Sequence, residues 1–203
     1  MFKQHLQQLT VSAARRLFTR APHRTSGWRS RLFDTYDRSH LDGSCALDLG
    51  CGRQPRNPFN CRQSRGIDIR SSEHVIEHDL LQGPLPIESD SIDAITAFDV
   101  LEHVPRVIYE RERGGTRFPV VELMNEVSRC LRPGGVFFSS TPCFPWPMAF
   151  HDPTHVNFMT EDTLRVYFCG DSPRARIYGF GGNFRMVEGF WIDYHFNCLL
   201  AKP

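Results

Sequence analysis

Leu47-Asp48-Leu49-Gly50-Cys51-Gly52-Arg53-Gln54-Pro55 decides the fold. A short apolar run with one acid breaks into two glycines one residue apart. That pattern describes a buried strand ending in a loop where a ligand can touch backbone. Gly66-Ile67-Asp68-Ile69 follows at the distance of a second parallel strand. Together the two stretches outline a pocket for a nucleoside-containing cofactor at the carboxyl ends of strands.

Further strand-like segments recur on both sides of a helix. Cys45–Leu49, Arg65–Ile69, His74–His78, Ser91–Phe98 and Gly135–Thr141 read as five strands. Val120, Leu123, Met124, Val127 and Leu131 form a helical stripe between the last two. Pro133-Gly134-Gly135 is expected to stop that helix. Phe184–Ile192 and Tyr194–Lys202 are separated by almost nothing, so they should be antiparallel neighbours. The order predicts an α/β domain with a mainly parallel sheet. Pro55 and Pro58 leave little room for a regular crossover helix after the glycine loop, and Pro55 breaks a dinucleotide spacing. A dinucleotide's pyrophosphate wants a helix N-terminus, so NAD is disfavoured.

The 203 residues are enough for one domain with a sizeable core, and the formal net charge of +1 implies no global attraction to nucleic acid or membrane. The charge is uneven. Residues 1–33 hold seven bases and no acid, so 17 of the 24 basic residues face all 23 acids. Phe2, Leu6, Leu9, Ala13 and Leu17 recur at helical spacing. That stretch fits a docking helix, a membrane-surface anchor or a transit peptide, the last without a cleavage signal. Residues 1–27 are expected to form a basic amphipathic extension, and residues 28–203 the domain. A second short helix is expected over Ser30–His40. Seven cysteines, with no Cys-x-x-Cys, fit a reduced cytoplasmic protein, membrane-associated if the N-terminal helix anchors.

The chain resembles the class I S-adenosylmethionine-dependent methyltransferases over residues 40–203. The resemblance rests on LDLGCG, GIDIR, HDL, SIDAITAFDVLEHV and LRPGGVFFSSTP in that order. It implies a Rossmann-like seven-stranded sheet with the last strand inserted antiparallel. It also implies a cofactor held by Asp48, Gly50, Gly52, Asp68, Asp79, Leu80 and Phe98. Asp68 would accept from the ribose hydroxyls, Asp79 from the adenine amino group, and Leu80 would lie against the ring. The stretch GRQPRNPF and the segment His151 to His155 resemble small methyltransferases of bacterial polysaccharide and small-molecule pathways.

Methyl transfer to a hydroxyl needs an aligned nucleophile and a base for its proton. Asp99 and His103 after the fourth strand, and His155 in the segment 142–160, are the candidates. That segment is rich in Pro and Phe, contains Trp146, and is long enough to be a substrate lid. Asp99, Glu102 and His103 have i, i+3, i+4 spacing, which would put them on one helical face. The small-RNA 2′-O-methyltransferases and ubiquinone-pathway O-methyltransferases are similar here, carrying Glu and His at this place and a later histidine. The resemblance implies a Mg²⁺ or Mn²⁺ site at Asp99, Glu102, His103 and His155. Packing or general-base roles for His103 are the alternative. Cys51 reads as a packing residue and Arg106 to Arg117 as a solvated insertion. The expected activity is methylation of a small-molecule or glycan hydroxyl. Methylation of RNA and a non-catalytic cofactor-binding scaffold are the rivals.

Overall fold

A computed structural model describes residues 20–35, 44–112 and 114–203. The apolar stripe over residues 2–17 and the stretch 36–43, with the end of the helix expected over Ser30–His40, therefore lie outside the described residues. Helix α1 spans Ser26–Thr35, and strands β1 (Cys45–Leu49), β2 (Gln63–Asp68), β3 (Val75–Glu77) and β4 (Ile92–Phe98) follow. After a 3-10 turn at Leu101–His103 come β5 (Ile108–Glu110), β6 (Gly115–Arg117), α2 (Pro119–Cys130) and β7 (Leu131–Pro142). Helices α3 (Met148–His151) and α4 (Glu161–Phe168) precede β8 (Arg185–Ile192) and β9 (His195–Ala201).

Seven strands form one sheet in the order β3-β2-β1-β4-β7-β9-β8. β1, β2, β3, β4 and β7 run parallel, and β9 is antiparallel to both β7 and β8. The near-continuous apolar run of β4 has a plain cause, since every residue from Ile92 to Phe98 is buried. One face packs on the α2 stripe, including Leu123, Met124 and Val127. The other packs on Leu32 and Phe33 of α1, with Phe59, Phe98 and Phe138. Pro119 starts α2, where its missing N–H costs nothing.

Three local expectations change. Helix α2 ends at Cys130, before Pro133, because Leu131 already pairs with Ile92 of β4. Gly134, at φ +78°, and Gly135 then form an irregularity inside β7 rather than the stop. The segment Arg106 to Arg117 contains an antiparallel hairpin, β5–β6, and Arg117 reaches the Leu81 carbonyl at 3.1 Å. Residues 20–25 are tied to the sheet, although they fall within the expected extension. Arg24 N donates to Trp191 O at 2.7 Å and Trp191 N to Pro22 O at 3.1 Å. No helix among the described residues is long and apolar enough to cross a membrane.

Candidate active site

The strands of the parallel half end in one cleft of about 520 Å³. Gly50 follows β1, Asp68 ends β2, Asp79 follows β3 and Asp99 follows β4, and all four line it. This is where an open parallel sheet binds ligands. Gly50 sits at φ +59°, and a Cβ there would meet Val100 Cγ2 at 2.5 Å. Only glycine therefore keeps this wall open. Asp68 Oδ2 accepts from Gly52 N at 2.9 Å and Oδ1 from Arg70 N at 3.2 Å. A carboxylate has about four lone-pair sites, so capacity remains for a ligand. Asp79 Oδ1 accepts from Leu81 N at 2.9 Å, and Leu80, Leu81 and Ile69 add apolar surface beside it.

The opposite rim carries a second constellation. Backbone N–H groups of Val156 and Asn157 both donate to Glu102 O at 2.9 Å, and Asn157 Nδ2 donates to Leu101 O at 2.8 Å. These bonds fasten the segment 142–160 to the turn Leu101–His103. His155 is thereby brought to His103, with ring centroids 4.9 Å apart. One donor atom from each of Glu102, His103 and His155 lies within 4.8 Å of the others. Glu102 is 1% exposed, and neither carboxylate oxygen has a hydrogen-bond partner. Burial pushes its carboxyl up to about 8, with Asp99 and Asp152 adding to the rise.

The imidazole tautomers follow from their partners. Thr154 Oγ1 donates to Asp152 Oδ1 at 2.6 Å, so it must accept from His103 Nδ1 at 3.0 Å. His155 Nδ1 faces the Ala149 carbonyl at 3.2 Å and donates to it. Each ring therefore carries a proton on Nδ1, and Nε2 is the nitrogen left for a ligand.

Residues 14–169 match a family described as a methyltransferase domain. The chain belongs to that family. No curated protein matches it. Solved structures share the fold at low identity. A SAM-dependent methyltransferase from Archaeoglobus fulgidus is 16% identical, with a TM-score of 0.54, over 86% of this chain and 92% of that one. The N-methyltransferase NodS from Bradyrhizobium japonicum WM9, solved with S-adenosyl-L-homocysteine, is 14% identical at TM-score 0.54, over 89% of each chain. A chain from the complex of the Haloferax volcanii Trm112 methyltransferase activator with a methyltransferase is 14% identical at TM-score 0.52. It covers 88% of this chain and 95% of that one. The protein is thus a methyltransferase by family, with a fold that SAM-dependent methyltransferases share.

In this methyltransferase the expected site residues fall into two groups. Gly50, Asp68, Asp79, Leu80, Asp99 and His103 line the cleft. Asp48, Gly52, Phe98, Glu102 and His155 do not. Asp48 is fully buried, accepting from Thr96 Oγ1 at 2.6 Å and Arg56 N at 2.8 Å. Its carboxylate braces the loop from inside the sheet. Gly52 presents its N–H to Asp68, and Phe98 packs against Phe138 behind the cleft.

Asp99 is also displaced from the expected ligand set. The predicted helical face requires helical backbone from Asp99 onward, but Asp99 sits at φ +56° and the turn begins at Leu101. Its Oδ1 instead accepts from His195 Nε2 at 2.7 Å. The methyltransferase's Cys51 packs beneath Gly66, and burial pushes its thiol up to about 11, which leaves it protonated and inert. His195 and Arg29 carried no sequence signal, because each acquires its place only through contacts with distant segments.

Proposed function

We propose that this methyltransferase methylates a hydroxyl group of a small molecule or glycan, and that Glu102, His103 and His155 hold a divalent cation beside the acceptor. The observation that carries this reading is the Glu102 carboxylate. It is buried, both oxygens lack partners, and a ring nitrogen from each of His103 and His155 lies nearby. An unsatisfied buried carboxylate costs stability, and a bound cation would offset that cost. Oxygen and imidazole donors suit Mg²⁺ or Mn²⁺. Such an ion lowers the pKa of a nearby hydroxyl. The carbonyl of Ala149 and the Asp152–Thr154 pair act behind the ligands, fixing each ring's tautomer and orientation. Asp68 binds the cofactor's ribose, Asp79 its adenine amino group, and the Gly50 backbone its methionine portion. With the cation bound, Asp99 takes up the acceptor's proton; without it, His103 or His155 does.

Isothermal titration of Mn²⁺ and Mg²⁺ tests the cation directly. Saturable binding that disappears in Glu102→Gln is expected, with EDTA suppressing conversion of S-adenosylmethionine by a panel of hydroxyl acceptors. Full turnover in EDTA would remove the cation and leave His103 or His155 as the base.

A second reading, RNA methylation by an enzyme working with an activator subunit, draws on the fold shared with the Haloferax volcanii complex. Salt-sensitive RNA binding by the full chain would favour it.

A further inference from the structure

Arg29 reaches from α1 to the carboxyl end of β7 and the start of β9. Its Nε donates to Asn197 Oδ1 and its Nη2 to Ser140 Oγ, both at 2.9 Å. Ser140 and Asn197 are register partners, 1% and 0% exposed. Two buried polar side chains at paired positions are costly unless satisfied. The guanidinium satisfies them, and they fix its direction. These bonds use two of the five donors that an arginine carries.

Arg56 arrives at the same place from the loop that Asp48 braces. Its guanidinium carbon lies 4.7 Å from the Phe98 ring centroid, and that of Arg29 lies 5.7 Å away. Arg56 is exposed, and its guanidinium makes no hydrogen bond to a described residue. Both guanidiniums thus lie over the ring of the residue that immediately precedes Asp99. Burial lowers the pKa of Arg29, and the charge of Arg56 lowers it further while Asp99 and Asp193 oppose both. Asp99 already receives the His195 hydrogen bond, so its charge is shared. The two like charges repel each other, and an anion bound to both would offset that repulsion. The planar fork of arginine matches a carboxylate or phosphate. Asp99 lines the cleft and feels the charge of both guanidiniums, so the pair lies near the cleft although neither arginine lines it.

We propose that Arg29 and Arg56 bind an anionic group of the methyl acceptor, a carboxylate or a phosphate, so that the enzyme selects acidic acceptors. This rests on the methyl-transfer reading above. Full-length protein with ¹⁵N-labelled arginine, saturated with S-adenosylhomocysteine, is titrated with sodium acetate and separately with sodium phosphate at constant ionic strength. The Arg29 Nε–H signal should move saturably with one or both, and not with chloride. Arg56→Ala should weaken that response at least about tenfold, the scale of a lost charge-assisted contact. Its unchanged affinity for S-adenosylhomocysteine would show an intact fold. No saturable movement, or an unaltered response in Arg56→Ala, would overturn the proposal. So would a shift caused by S-adenosylhomocysteine but not by 5′-methylthioadenosine, to which acetate and phosphate add nothing, because the pair would then serve the cofactor's own carboxylate. Failure of the methyl-transfer reading shows separately, as absent S-adenosylhomocysteine binding, and the anion titration is then read on the protein alone.

Discussion

Asp99 Oδ1 accepts a hydrogen bond from His195 Nε2 at 2.7 Å, joining the end of β4 to the start of β9. Asp99 lines the cleft, whereas His195 stands behind it as a positioning residue. Burial pushes the Asp99 carboxyl up, but the His195 hydrogen bond and charge, with Arg56 and Arg29, outweigh it and hold the group below its ordinary value. His195→Ala removes the strongest of those opposing effects. The acid limb of the kcat/KM–pH profile should therefore move to higher pH, with S-adenosylhomocysteine affinity little changed. An acid limb that stays in place would show that Asp99 does not govern it.

Glu102 makes the metal-free protein's stability pH-dependent. Its carboxyl titrates near 8 when folded, against an ordinary value of 4.5. Between these values the folded state binds the extra proton, so stability falls as pH rises from about 5 to about 8. Glu102→Gln cannot ionise and should flatten that slope, with a gain of ~2–4 kcal/mol at pH 8 in EDTA. Denaturant unfolding at pH 5 and pH 8 measures both. Mn²⁺ should reverse the order at pH 8, stabilising the parent protein and not the variant.

Cofactor affinity should depend on Asp68 and Gly50 for different reasons. Asp68→Ala removes a charge-assisted acceptor, and calorimetry should show S-adenosylhomocysteine binding weakened by ~1.5–3 kcal/mol. Gly50→Ala forces a side chain onto φ +59° and into Val100. It should lower the thermal midpoint as well as binding, with a strain cost of about 1–3 kcal/mol.

The segment before α1 should stabilise the domain. Glu161 Oε1 accepts from Arg20 N at 2.6 Å, and Oε2 accepts from Ala21 N and Trp191 Nε1, both at 3.1 Å. Glu161→Ala leaves three donors short of a partner and should cost ~1–3 kcal/mol in chemical unfolding. Deleting residues 1–27 should cost at least as much, since it also removes the Pro22 and Arg24 backbone bonds to Trp191. Deleting residues 1–19 spares both sets and should retain their contribution.

The sequence by itself determined whatever depends on neighbours a few residues apart. The apolar run of β1, the glycine that must follow it, the stripe of α2 and the tight β8–β9 connection are local patterns, so their periods and turn residues identified them. The order of those elements then implied the parallel sheet and its cofactor cleft. The tertiary structure alone decided which acids face the cleft. Asp48 and Asp68 both lie on strands whose pattern places an acid among apolar residues, yet Asp48 turns inward to Thr96 and Arg56 while Asp68 reaches the cleft. It also separated Asp99 from Glu102 and His103, because one residue in left-handed backbone breaks the helical spacing that the sequence assumed. Arg29 finds Asn197 across 168 positions and Asp99 finds His195 across 96. Such pairings arise from strand order and register, where long-range packing selects partners that no local period encodes.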